Sequence, residues 1–147
     1  MGIKRFFSLM RRASTVFDKY HESLIKKWRL NNTSYEVLMF FADNPENNTA
    51  RDLCRMLSMK TGIVSVAIEQ LSGAGLLERR TDPEDRRIQR LYLTEKAMPI
   101  AEEGREIRKQ FLNRLKQAMS EEEFRTYYEL SMKLRSTVDD MAQEILK

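Results

Sequence analysis

The chain is poor in the residues that build covalent or metal-held scaffolds. Its 147 residues include one cysteine, Cys54, and one histidine, His21. A single thiol excludes an internal disulfide, and one imidazole makes a histidine-rich metal site improbable; no cofactor and no metal is expected. Glycine occurs five times and proline three times, so long loops and collagen-like or low-complexity segments are excluded. No apolar run approaches the ~20 residues of a membrane span. The opening "MGIKRFFSLMRRAS" has neither an apolar block nor a small-residue cleavage site, so a secretory leader is not expected and the cytoplasm is the expected compartment. Catalytic patterns are missing too. There is no glycine-rich phosphate loop and no nucleophile–base pair, and "DPEDRR" lacks the glycine and distal glutamate of a calcium loop. An enzyme is not expected.

What is present is charge and helical periodicity. Charged residues make up 33% of the chain, hydrophobic residues 41%, and the net charge is +4. The excess is uneven. Residues 1–30 carry eight Lys and Arg against Asp18 and Glu22, so the remainder is close to neutral and any polyanion contact there must be local.

Apolar residues from Ile3 through Phe6, Met10, Phe17 and Leu24 to Trp28 step by three or four, which predicts a long amphipathic helix. Asn31 or Thr33, the latter with Glu36, is placed to cap a second helix whose inward face is Val37, Leu38, Phe40 and Phe41. Thr49 is the expected N-cap of a short third helix, "ARDLCRML". The stretch "SMKTGIVSVAIEQLSGAG" predicts a fourth, with Ile63, Val64, Ala67, Ile68 and Leu71 buried and Gly73 and Gly75 closing it. Then "LLERR" and "IQRLYL" alternate as the strands of a hairpin around a charged tip. Thr94 is expected to cap a long fifth helix, and Ser120 with Glu123 forms a capping box for a sixth.

Two short helices joined by a turn and followed by a hairpin make a helix-turn-helix with a wing. The expected fold is mainly α, in the α+β class. Residues 31–95 would form the winged helix-turn-helix. Residues 1–30 and 96–147 would form a helical dimerisation region, because their stripes (Ile107, Phe111 and Leu115, then Phe124, Tyr127, Tyr128, Leu134, Val138, Met141 and Ile145) exceed what so small a module covers.

The words "SMKTGIVSVAIEQLSGAGL" and "LLERRTDPEDRRIQRLYLTEKA" carry a resemblance to the MarR family of winged-helix transcriptional regulators. The order of elements is similar over nearly the whole chain. The resemblance implies a homodimer that binds a palindromic operator in double-stranded DNA, most often as a repressor. It implies insertion of Arg87 into the minor groove, braced by Asp85, with Arg86 and Arg90 on phosphates. A narrow minor groove focuses negative potential, which gives a guanidinium on a thin hairpin a physical reason to enter it. Lys60, Thr61 and Ser65 take the exposed side of the recognition helix, and Thr49 and Arg51 are expected phosphate contacts. Gly62, Ile63 and Val66 depart from the family's pattern of small polar residues and arginine. The family also implies a small aromatic or lipophilic effector in a cleft for which Phe17, Tyr20, His21, Phe40 and Phe41 are the candidates. For that aromatic stripe the plainer reading is core, His21 reads as an interface or surface residue, and Cys54 reads as a buried structural thiol. Two alternatives stand beside the regulator: hairpin arginines that only pair with Asp82, Glu84 and Asp85 as a solvated face, and a protein-interaction dimer whose helix-turn-helix has degenerated.

Overall fold

The computed structural model describes residues 2–145. Helix α1 spans Ile3–Lys27, α2 Asn32–Asp43, α3 Ala50–Leu57 and α4 Thr61–Gly73. Strands β1 (Leu77–Thr81) and β2 (Gln89–Leu93) follow, then α5 (Met98–Lys116) and α6 (Glu121–Ile145). The chain divides into two compact units, one ending at Arg108 within α5 and one beginning at Lys109.

The first unit is built around α2. Tyr35 and the run from Val37 to Phe41 are all buried, so this helix is covered on nearly every side and not on one face alone. Val64, Ala67, Ile68 and Leu71 of α4 join the same core, with Leu53 of α3 and Leu76, Leu77 and Leu91 of the hairpin. The core runs beyond 31–95: Leu24 and Ile25 of α1 and Ile100 and Ala101 of α5 are part of it. Each fully buried side chain of the size of Leu38 or Met39 contributes roughly 1.5–3 kcal/mol.

Local signals explain most boundaries. Asn31 caps α2, its side-chain oxygen accepting from the Ser34 amide at 2.8 Å, so the Thr33 alternative is not used. Thr49 caps α3 in a reciprocal box whose second member is Asp52. Gly75 takes φ +71, the left-handed geometry that ends the α4 segment without a Cβ penalty. Two expectations are corrected. Helix α4 starts at Thr61, because Ser58 is left-handed (φ 52) and Lys60 is extended. Thr94 makes no side-chain cap; its hydroxyl donates to the Gly75 carbonyl at 2.7 Å, and a 3-10 turn over Glu95–Ala97 precedes α5. Pro99 is the second residue of α5, where its missing N–H costs nothing.

The second unit comprises the end of α5 and α6. Ser120 and Glu123 form the expected capping box of α6, at 2.7 and 3.2 Å. No residue of α6 is buried, and Tyr127, Tyr128, Leu130, Leu134, Val138 and Met141 are each about half exposed.

Candidate nucleic-acid interface

The wing is an antiparallel pair in the register Leu77↔Leu93, Arg79↔Leu91 and Thr81↔Gln89. Leu77 and Leu91 face the core, which leaves the opposite face to Arg80, Arg90 and Tyr92. Arg80 lies 4.7 Å over the Tyr92 ring and pairs with Glu78, two residues back on its own strand.

The tip is ordered by two aspartates. Asp82 is buried although charged. Its Oδ1 accepts the amides of Glu84 (2.8 Å) and Asp85 (3.0 Å), and its Oδ2 accepts Nε of Arg90 at 2.5 Å. Those bonds, the Asp85 amide first and then the Arg90 guanidinium and the Glu84 amide, hold its carboxyl below the usual aspartate range. Arg90 also donates from Nη1 to the Asn48 side chain at 3.0 Å, while the Asn48 carbonyl accepts the Leu91 amide at 2.8 Å. Arg90 thus ties the wing to the loop before α3. It was expected on a phosphate, and two of its donors have internal partners.

Asp85 holds Arg87 in a fork. Its Oδ1 accepts Nε of Arg87 at 3.1 Å and the Arg87 amide at 3.0 Å, and its Oδ2 accepts Nη2 at 3.0 Å. The Arg87 side chain is nevertheless 91% exposed. Pairing therefore aims this guanidinium outward without covering it. The fork lowers the Asp85 carboxyl and raises Arg87. Arg86 is exposed beside it.

On the helix-turn-helix, Arg51, Lys60, Thr61 and Ser65 are exposed, and Thr49 is half-buried in its cap. Ile63 is 49% and Val66 58% exposed. The expected burial of Ile63 is therefore wrong. The inward face of α4 is set by Val64, Ala67, Ile68 and Leu71, and Ile63 falls about 100° off that stripe. Glu69 pairs with Arg79 of β1, which joins α4 to the wing.

The aromatic candidates separate. Phe40 and Phe41 are core, with ring centroids 5.4 Å apart. Phe17 packs against His21 at 4.5 Å, and Tyr20 is 39% exposed. His21 is not a surface histidine: it is 2% exposed, and Nδ1 lies 2.9 Å from the Phe17 carbonyl, which it reaches as a donor. Burial, first, pushes its pKa down, and the Arg108 charge adds to that. Tyr35 stacks at 5.1 Å from His21, and burial raises its phenol to about 12. No local spacing marks Tyr35 or Arg108 for this cluster, because only the packing of α2 and α5 brings them to His21 of α1. Cys54 is half-buried against the core, less covered than the buried thiol the sequence predicts. Among the described residues there is no cluster of metal-binding side chains and no helix long and apolar enough to cross a membrane.

Residues 30–88 match the model of the MarR family. The transcriptional regulator AdcR of Streptococcus pneumoniae is 36% identical over 90 residues, which are 58% of this chain and 60% of that protein. The chain thus spans less than two thirds of the length of this relative. A crystal structure of MarR superposes with a TM-score of 0.76 at 19% identity, covering 98% of this chain and 95% of that one. A MepR–DNA complex from S. aureus superposes with a TM-score of 0.62 at 20% identity, covering 89% and 98%. Residues 30–88 are thus similar to the MarR family, and along nearly its whole length the chain has the winged-helix fold of the solved MarR structure.

Proposed function

We propose that the protein is a DNA-binding transcriptional regulator, acting as a homodimer on a palindromic operator, with repression as its expected sign. The observation that carries this reading is Arg87: a guanidinium oriented by a bidentate carboxylate and still 91% exposed, at the tip of a hairpin beside a helix-turn-helix. A solvated ion pair has no need of an ordered tip, whereas a minor-groove finger does. The AdcR name and the DNA-bound MepR structure support the same reading. Arg51, Lys60 and Arg86 would meet phosphates, and Thr61 and Ser65 base edges. The exposed apolar side of α6 supports a dimer, since a stripe of six half-exposed side chains on one helix needs a cover and a second copy supplies an identical one.

An effector site is best supported where His21 Nε2, Tyr35 Oη and Arg108 Nε lie buried without a hydrogen-bond partner. A small aromatic molecule with a hydroxyl would satisfy them, donating to His21 Nε2 and accepting from Tyr35 Oη or Arg108 Nε. Phe17 and His21 remain candidates there, and Phe40 and Phe41 serve the core.

Fluorescence anisotropy with an A·T-rich palindromic duplex at two salt concentrations tests the reading. Tight, salt-sensitive binding that Arg87→Ala weakens supports it. Binding no stronger than background, with an intact dimer by sedimentation, would favour the protein-interaction dimer, to which the exposed Ile63 and Val66 lend some support.

A further inference from the structure

The exposed side of α4 is apolar where a DNA-reading helix is ordinarily polar. Ile63 and Val66 are one turn apart and about half exposed. They line, with Gly62, Ala67 and Gln70, a shallow groove of about 480 Å³ whose other wall is Asn31, Asn32 and Thr33 at the start of α2. Gly62 has no internal reason to be glycine. A Cβ there would meet nothing within 4 Å, and glycine is a poorer helix former than alanine.

The surroundings identify a polyanion and not a protein of mixed charge. Four acids of the helix-turn-helix and wing are engaged, Asp52 in the α3 cap, Glu69 with Arg79, Asp82 with Arg90 and Asp85 with Arg87, while Glu84 at the tip is exposed. Lys60 before α4, Arg51 of α3 and Arg86 and Arg87 of the wing tip are exposed cations. An apolar strip in a module with these exposed cations fits one feature of the DNA major groove, the C5-methyl of thymine, the apolar group among the base edges there.

We propose that Ile63 and Val66 read thymine methyl groups in the operator, and that Gly62 lets α4 sit closer to the bases than an alanine would. This rests on the regulator reading and adds its specificity. Recognition is then by methyl contact and shape, not by arginine on guanine.

The test replaces thymine by uracil, which removes the methyl and leaves every hydrogen-bonding group. A duplex is first selected from a randomised pool by the protein itself. Each methyl buried under the strip should be worth about fourfold in affinity, the value of one methylene-sized group. Val66→Thr keeps the shape of an exposed side chain and should narrow the thymine-over-uracil preference. Gly62→Ala should bind the duplex more weakly while melting no lower than the wild type. Equal affinity for thymine and uracil duplexes, or selected sites without thymine under α4, overturns the proposal and leaves the regulator reading standing. Failure to select any duplex above background, with Arg87→Ala indistinguishable from the wild type, overturns both.

Discussion

The Tyr35 hydroxyl occupies the space that a side chain at position 104 would need. A Cβ on Gly104 would stand 2.6 Å from Tyr35 Oη and 2.7 Å from Met39 Sδ. Glycine here is demanded by the approach of α5 to α2, not by backbone conformation.

Gly104→Ala is therefore expected to destabilise the protein by roughly 1–3 kcal/mol, the usual cost of overpacking a core. Tyr35→Phe removes one of the two clashing atoms, and that hydroxyl has no hydrogen-bond partner to lose. In a double-mutant cycle the two changes should cost less together than their sum, by about 0.5 kcal/mol or more. Denaturant melts at one fixed protein concentration measure this; strict additivity would show that the tyrosine does not set the packing.

Arg87→Ala should weaken binding to a selected duplex on the order of tenfold, about 1.4 kcal/mol. It should also lower the salt slope by about one. Asp85→Asn keeps the positive charge and loses the carboxylate fork. It should weaken binding less and leave the salt slope unchanged. If both variants lose the same affinity and the same slope, Asp85 is not a brace.

Asp82 links wing order to pH. Its carboxyl titrates below its unfolded value of 3.8, so the unfolded chain binds the proton more readily. The stabilisation is present above pH 3.8 and is lost as pH falls through the lower folded value. The protection of the Glu84 and Asp85 amides, taken relative to their intrinsic exchange rate at each pH, should fall across that window in the wild type. Asp82→Ala should show fast exchange already at pH 7; slow exchange there would mean that strand pairing alone orders the tip.

His21 acts in a different window with the same sign. Its folded pKa lies below the ordinary 6.5, because burial and Arg108 outweigh Asp18 and the Phe17 carbonyl. Protonation therefore favours the unfolded chain, and stability should decline as pH drops below 6.5. Melting temperatures between pH 7.5 and 5 should fall in the wild type and flatten in His21→Leu. Parallel curves would assign the pH dependence to other groups.

Much of this protein could be read from local pattern. Asn31, Thr49 and Ser120 cap their helices through bonds to residues three positions on, and such bonds need only the sequence neighbours. The strand alternation and the Asp85–Arg87 fork are local for the same reason: period two and a spacing of two residues fix who meets whom. Other features depend on residues far apart in the chain. Arg90 was placed on a phosphate because nothing nearby shows Asn48 reaching it from 42 residues away. Ile63 looked buried because an aliphatic residue in a helix is usually core, and only the packing of α2 on α4 decides which hundred degrees of that helix is covered. The helical spacing of His21 predicts an interface or surface residue, and only the approach of Tyr35 from α2 covers it. Short-range hydrogen bonds and periodicity are properties of the sequence by itself; which faces are covered, and which charges are already paired, belongs to the tertiary structure, because burial is decided by neighbours that no local spacing names.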